Sequence, residues 1–471
     1  MKKLLLTLLV AILTLPSFAR DIEYTYEGQT LTYTVIDEDA KTVRTKAGDY
    51  LTSGNHVSRE LVIPSQIVDG DEKYNVTEIG EYSFSYCRTL TSVIIPNSVT
   101  EIGQAAFSGC LSLTSVTIPN SVTEIGQAAF SGCWALTSVT IPDSVTEIGA
   151  YAFSRCNIKS VTIPNSVTEI KDYTFYGCGN LTSIKIPDGV SSIGEWAFSD
   201  CSLPSIKIPD SVTSIGQHVF DGCRILTSIN IPDGVTSIGA GTFRDCRSLT
   251  SINLPDGVSS IGDNTFEGCS SLTSINIPDG VSSISNYTFL GCNNLTSIQI
   301  PDGVTSIGEA AFWYCSSLTS INIPDGVTSI REAAFRDCSS LTSIQIPDSV
   351  TSIGYDAFYG CSSLTSITYL ANEPIEGDFD IFDSSTYQTA TLFMSEAGKE
   401  AGKDIDPWKN FKNIKVYDPA SIDEIFTDFN ENAPYEIFNL NGVKIADSTE
   451  NIPSGIYILR QGNLAKKIAV K

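Results

Sequence analysis

Along most of this chain the apolar positions recur with a fixed period. One full unit reads Leu318-Thr-Ser-Ile-Asn-Ile-Pro-Asp-Gly-Val-Thr-Ser-Ile-Arg-Glu-Ala-Ala-Phe-Arg-Asp-Cys338, and after Ser339 and Ser340 the next begins at Leu341. Ile321 and Ile323 alternate with polar residues, which predicts a short strand with one buried face. Pro324-Asp325-Gly326 supplies turn chemistry, and the proline stops the strand by removing a ladder donor. Val327 and Ile330 face inward again on a second short extended segment. Residues 332–335 leave room for about one helical turn, after which Phe335 and Cys338 share a face and close the coil. A single coil cannot bury its own apolar side chains. Stacking on its neighbours does so, which predicts a solenoid with a parallel sheet and a continuous core.

The repetition fixes columns as well as coils. Cysteine occurs 13 times, once per coil from Cys87 to Cys361, at intervals of 23 residues except for 22 at Cys156 to Cys178 and at Cys201 to Cys223. In both short coils the missing residue lies between the cysteine and the next strand. That is a connecting turn, where length is least constrained, so strand register is expected to survive. A second column is phenylalanine: Phe84, Phe107, Phe130, Phe153, Phe175, Phe198, Phe220, Phe243, Phe266, Phe289, Phe312, Phe335 and Phe358. Rings stacked at the coil spacing fall within the favourable range for aromatic pairs. Residues 20–60 alternate polar and apolar positions (Tyr24, Tyr26, Leu31, Tyr33, Val35) and read as a strand-rich N-terminal cap. The repeat array is expected over residues 61–368, in about thirteen coils, and a C-terminal cap over 369–417. Caps are needed because an open terminal coil exposes core and strand edges.

Composition changes this picture in two ways. Lys2 and Lys3, the apolar run from Leu4 to Leu15 and the small-residue site Ser17-Phe18-Ala19 read as a secretory signal peptide over residues 1–19. No later stretch is apolar long enough to cross a bilayer. The formal net charge is −25, which repels nucleic acid and acidic membranes and so argues against both as partners.

Candidate chemistry follows the columns. The cysteines are odd in number and equivalent by position, and read as buried free thiols rather than disulfides; no Cys-x-x-Cys pair offers a zinc site. Aspartate follows proline at Asp143, Asp188, Asp210, Asp233, Asp256, Asp279, Asp302, Asp325 and Asp348, with Asn97, Asn120 and Asn165 in the same slot elsewhere. A carboxylate row could gather calcium, but interchange with asparagine favours a turn role through side-chain hydrogen bonds. Glu78, Glu101, Glu124, Glu147 and Glu169 form an acidic patch on the first coils, replaced by serine from Ser192 onward. It reads as a solvated face, with electrostatic docking as the alternative. Only two histidines, His56 and His218, are present, neither in a motif, and no nucleophile elbow, phosphate loop or metal-binding helix occurs. A catalytic site needs unlike groups converging at one place, whereas this surface repeats like groups. The reading is therefore not an enzyme, with no metal and no cofactor.

The exposed strand face carries the binding candidates. Serine holds one outward column from Ser92 to Ser366. The next outward column changes from Thr117, Thr140 and Thr162 to Lys185, Lys207, Asn230, Asn253, Asn276, Gln299, Asn322 and Gln345. These lysines and amides suit many parallel hydrogen bonds to a ligand, or side-chain ladders that stabilise the sheet. Aromatics flanking the phenylalanine column (Tyr151, Tyr173, Trp196, His218, Tyr287, Trp313, Tyr314, Tyr355) are candidate anchors for a protein or sugar.

The motifs Leu-x-x-Ile-x-Ile-Pro, Val-x-x-Ile and Ala-Phe-x-x-Cys resemble the BspA-like leucine-rich repeats of bacterial surface proteins, over roughly residues 61–368. The resemblance implies a leucine-rich-repeat solenoid, α/β to mainly β, with short turn or helical returns. Trp408-Lys-Asn-Phe-Lys-Asn-Ile-Lys-Val-Tyr417 is similar to the closing segment of such proteins. Residues 418–471 resemble a linker and C-terminal sorting tail, on Ile437-Phe-Asn-Leu-Asn-Gly442, Gly455-Ile-Tyr-Ile-Leu459 and Lys467-Ile-Ala-Val-Lys471. This implies export, retention at the outer cell surface by a type IX route, and adhesion to host matrix proteins, other cell-surface proteins or glycans. The rival reading is a stiff surface spacer or coat component without a dedicated ligand; a carbohydrate-active enzyme ranks below both.

Overall fold

The computed structural model describes residues 20–47, 59–375 and 380–416, and beyond them the strands Glu436–Phe438, Lys444–Ala446, Gly455–Gln461 and Leu464–Val470. The signal peptide read over residues 1–19, His56, and residues 418–435 of the tail fall outside them. Repetition of the coil produces a parallel β-solenoid of about 15 turns with roughly 23-residue repeats and little helix. Two strand columns run along it. One holds strands such as Ser115–Thr117 and Ser138–Thr140, paired in register. The other holds the two-residue strands after the turn, such as Glu101–Ile102 and Glu124–Ile125. Between them the turn is closed by the backbone: Val327 N–H donates to the Pro324 carbonyl at 3.0 Å.

The third side of the coil departs from the expected helical turn. It is a run of turns in which the residues two before and two after each phenylalanine take positive φ, as in Ala105 at 51° and Gly109 at 71°. Two left-handed residues four places apart exclude a helix. They orient alternate amides outward along the stack. Phe107 N–H donates to the Ala129 carbonyl of the next coil at 2.8 Å, while Cys110 N–H closes a turn onto Phe107 at 3.3 Å. The return is thus a third hydrogen-bonded face, which leaves few backbone groups unpaired.

Apolar columns fill the interior. The phenylalanines are fully buried and stack with centroids 5.2 Å to 5.9 Å apart. The column gains one more member than the repeat motif marks: Phe382 stacks on Phe358 at 5.4 Å. The sheet likewise continues past Ile367, through the parallel strands Thr391–Met394 and Asn413–Val416. At the other end the strands Asp21–Tyr26, Gln29–Asp37 and Thr42–Thr45 form an antiparallel meander, and Thr42–Thr45 then joins Glu72–Ile79 in parallel. The strands Glu436–Phe438, Lys444–Ala446, Gly455–Gln461 and Leu464–Val470 make a separate antiparallel sheet.

The two short coils disturb the sheet more than their position in a turn suggests. Val161 and Ile206 stay buried, so side-chain register survives. The backbone ladder does not: Ser138–Thr140 and Ser160–Thr162 belong to different sheets, as do Ser183–Lys185 and Ser205–Lys207. One residue fewer shortens the connection, yet Lys159 N–H still reaches the Thr137 carbonyl at 3.3 Å, as Thr137 N–H reaches Thr114 at 3.4 Å in a full-length coil.

Candidate functional site

The strand face presents the predicted column in a single line. Lys185, Lys207, Asn230, Asn253, Asn276, Gln299 and Asn322 are exposed, and Gln345 is half-buried. Thr162 pairs with Lys185, Lys207 with Asn230, Asn230 with Asn253, and Gln299 with both Asn276 and Asn322. The alternation of the strand sets this geometry: Ile229 and Ile231, on either side of Asn230, are buried and hold its amide outward. Among the described residues no side-chain hydrogen bond joins one amide of this column to the next. The side-chain ladder that stabilises the sheet lies elsewhere, on threonines that the sequence reading passed over. Thr114 Oγ1 donates to the Thr91 carbonyl at 3.1 Å and Thr342 Oγ1 to Thr319 at 3.4 Å; after the turn, Thr123 Oγ1 donates to Thr100 at 3.2 Å.

The cysteine column is equally well accounted for. All thirteen are free and buried. Each thiol from Cys110 onward donates to the carbonyl of the preceding coil's phenylalanine, as Cys246 Sγ does to Phe220 at 3.2 Å. A weak donor is placed against a buried acceptor that would otherwise have one partner fewer. Burial pushes the Cys178 and Cys223 thiols up to about 12, the opposite of the depressed value that a nucleophilic or metal-binding thiol needs. The aspartates after proline are exposed, and among the described residues their side chains make no hydrogen bond; the backbone bond from valine to proline closes the turn that they were expected to close. Among the described residues no three His, Cys, Asp or Glu side chains gather into a group able to hold a metal.

The flanking aromatics fall into two clusters. Tyr151, Tyr173, Trp196 and His218 occupy the left-handed position of successive coils and stack as a ladder, with centroids 4.4, 6.0 and 4.1 Å apart. The ladder ends at Gly241, where a Cβ would stand 2.2 Å from His218 Nδ1. His218 Nδ1 lies 3.2 Å from Asp221 Oδ2, and Arg244 holds the same carboxylate through Nη2 at 2.7 Å and Nε at 3.1 Å. Both carboxylate oxygens are thereby engaged, so the group ties coils together. In the second cluster Trp313 and Tyr314 stack at 5.4 Å, with Arg336 5.2 Å above Trp313. Tyr287 hydrogen-bonds Glu309, and Tyr355 is exposed.

The glutamate row is in register, Glu78 beside Glu101, Glu101 beside Glu124 and Glu124 beside Glu147. Arg44 pairs with Glu78 at 3.4 Å, and Lys171 pairs with Glu147. Among the described residues the middle carboxyls have no ion-pair partner, and burial, then the neighbouring carboxylates, raise Glu101 and Glu124 above the usual range. A raised carboxyl disfavours the folded state once pH exceeds its value, and the penalty disappears as pH falls and the group protonates. Glu124→Gln is therefore expected to stabilise the fold at neutral pH by about 0.5–1 kcal/mol, the size of a screened cross-strand charge pair. The gain should vanish in mild acid. Equal gains in melting temperature at both pH values would show that charge is not the cause.

The family described as BspA type Leucine rich repeat region (6 copies) matches residues 71–179, 168–294 and 259–385. Among solved structures, a leucine-rich repeat protein from Bacteroides ovatus is 31% identical, with 82% of this chain and 98% of that chain covered and a TM-score of 0.63. A leucine rich cell surface protein from Faecalibacterium prausnitzii is 34% identical, covering 74% and 94%, with a TM-score of 0.55. A leucine-rich repeat protein from Eubacterium ventriosum is 27% identical, covering 74% and 96%, with a TM-score of 0.50. No curated protein matches the chain.

Proposed function

The chain belongs to the BspA-type leucine-rich-repeat family, and on that premise we propose that it is an exported cell-surface adhesin whose strand face docks host matrix or cell-surface proteins. The observation that carries the reading is the column from Lys185 to Gln345: donors and acceptors held outward along the strand face and, among the described residues, not consumed by side-chain hydrogen bonds to one another. Repetition supplies the affinity. Many equivalent weak contacts raise avidity without one strong site, so the role is binding and not catalysis. Export rests on the basic-apolar-small pattern of residues 1–19. Surface retention rests on the resemblance of residues 418–471 to a sorting tail, and is supported by the Faecalibacterium relative's description as a cell surface protein. The meander before the array and the strands after it serve, in this reading, as caps.

The test is binding of the full chain to immobilised collagen, laminin and fibronectin as coils between Asn230 and Gln345 are removed in 23-residue units. Affinity should fall stepwise with each coil removed, while Asn276→Ala alone changes it by less than about threefold. Loss of all binding through one substitution, with the deletions silent, overturns the avidity reading.

A further inference from the structure

The first short coil opens a notch on the return side of the solenoid, away from the amide column. Its missing residue leaves a concavity of about 540 Å³ lined by Trp134, Arg155, Asn157, Gly177, Gly179 and Asn180, a size suited to a small ligand. Three successive coils contribute. Trp134 takes the place after the cysteine where later coils carry Ser270, Ser316 or Ser339. It is 62% exposed, and among the described residues its indole makes no ring contact. Asn180 Nδ2 donates to Asn157 Oδ1, which leaves Asn157 a free amide donor and Asn180 a free carbonyl acceptor side by side. Arg155 lies 5.6 Å from the Tyr176 ring centroid, and among the described residues no carboxylate pairs with it. Arg155 is exposed and Asn157 half-buried, on either side of the buried Cys156. In a chain of net charge −25, an arginine without a carboxylate partner is a local field of the opposite sign.

We propose that this notch binds an acidic saccharide, a pyranose bearing a carboxylate. A pyranose has an apolar C–H face and a hydroxyl rim, and the site supplies a partner for each. The C–H face lies on the Trp134 indole. Two neighbouring hydroxyls meet the donor of Asn157 and the acceptor of Asn180. The carboxylate faces the Arg155 guanidinium, which the Tyr176 ring holds in place. A Cβ at Gly179, which lines the notch, would meet nothing within 4 Å, so a larger side chain fits there and competes for the notch space. An acidic peptide would satisfy the guanidinium but would leave the indole without a flat apolar face to cover.

The test is titration of the full chain with tetragalacturonate, followed by tryptophan fluorescence and calorimetry, against the neutral tetragalactose as comparison. Tetragalacturonate should bind and tetragalactose bind more weakly. Trp134→Ala and Gly179→Gln should each lower the affinity for tetragalacturonate at least about tenfold with the melting temperature unchanged. Arg155→Gln should bring the acidic and neutral sugars to similar affinity. Asn276→Ala together with Asn322→Ala should change nothing, which separates this site from the strand face. No binding of tetragalacturonate, binding indifferent to Trp134→Ala and Gly179→Gln, or equal binding of a poly-glutamate peptide overturns the proposal.

Discussion

Phe220→Ala is expected to destabilise the solenoid by about 3–5 kcal/mol, the range for truncating a buried aromatic. The ring is fully buried and stacks on Phe198 at 5.9 Å and Phe243 at 5.7 Å. Its removal therefore leaves a hole bordered by two rings that no side chain of the same coil can fill. The carbonyl of Phe220 also accepts the Cys246 thiol, so any shift of the backbone into the hole costs that bond as well. Because each coil touches only its neighbours, stability is close to a sum of coil and interface contributions, and a weak interface in the middle lets the two halves lose cooperativity. Chemical denaturation should show a lower midpoint and a broadened or split transition. A melting curve unchanged from the parent would remove Phe220 from the core.

The interior was legible because it repeats. A phenylalanine every 22 or 23 residues can only be one column, and the parallel coil follows from the alternation around Ile321 and Ile323. Phe382 was missed because no cysteine follows it three places on, although it stacks on Phe358 like any other member. The return was misread for a different reason. Apolar spacing reports which way a side chain faces and not the sign of φ, and residues as unlike as Tyr151, Trp196 and Asp356 all take positive φ there. The glycines two places after phenylalanine, at Gly109, Gly132, Gly177, Gly222, Gly268, Gly291 and Gly360, were the hint of left-handed backbone.

The candidate sites divide along the same line. The outward amides could be placed from strand alternation alone, whereas whether they hydrogen-bond one another is a matter of side-chain rotamer that spacing cannot reach. The notch at Trp134 was passed over because attention went to residues that vary around the phenylalanine. Its signal was present: the one aromatic residue in a slot that follows the cysteine of each coil, directly before a coil one residue short.

The buried thiols carry the second large expectation, which is unfolding in alkali. Desolvation pushes Cys178, Cys223 and Cys361 from an ordinary 9.0 to about 12. Below pH 9 these thiols are protonated in both states and pH has no leverage. Between 9 and 12 the unfolded chain releases their protons and the folded chain does not, so stability falls as pH rises. The gap of 9.0 to about 12 corresponds to about 4 kcal/mol per thiol at its upper end. Three such groups together reach about 12 kcal/mol at that end, comparable with the roughly 5–15 kcal/mol that holds a typical domain. Far-ultraviolet circular dichroism under reducing conditions should therefore show cooperative loss of the sheet near about pH 10–11, with thiolate absorbance rising in the same step. Replacing Cys178, Cys223 and Cys361 by alanine should lower stability at neutral pH, since each loses its bond to a phenylalanine carbonyl, yet flatten the dependence on pH above 9. That split between lower stability and weaker pH dependence is the diagnostic, because a purely packing role for sulfur would lower the curve without changing its slope. Thiolate absorbance that develops near pH 9 while the sheet persists would place the sulfur atoms in contact with water and sink the idea.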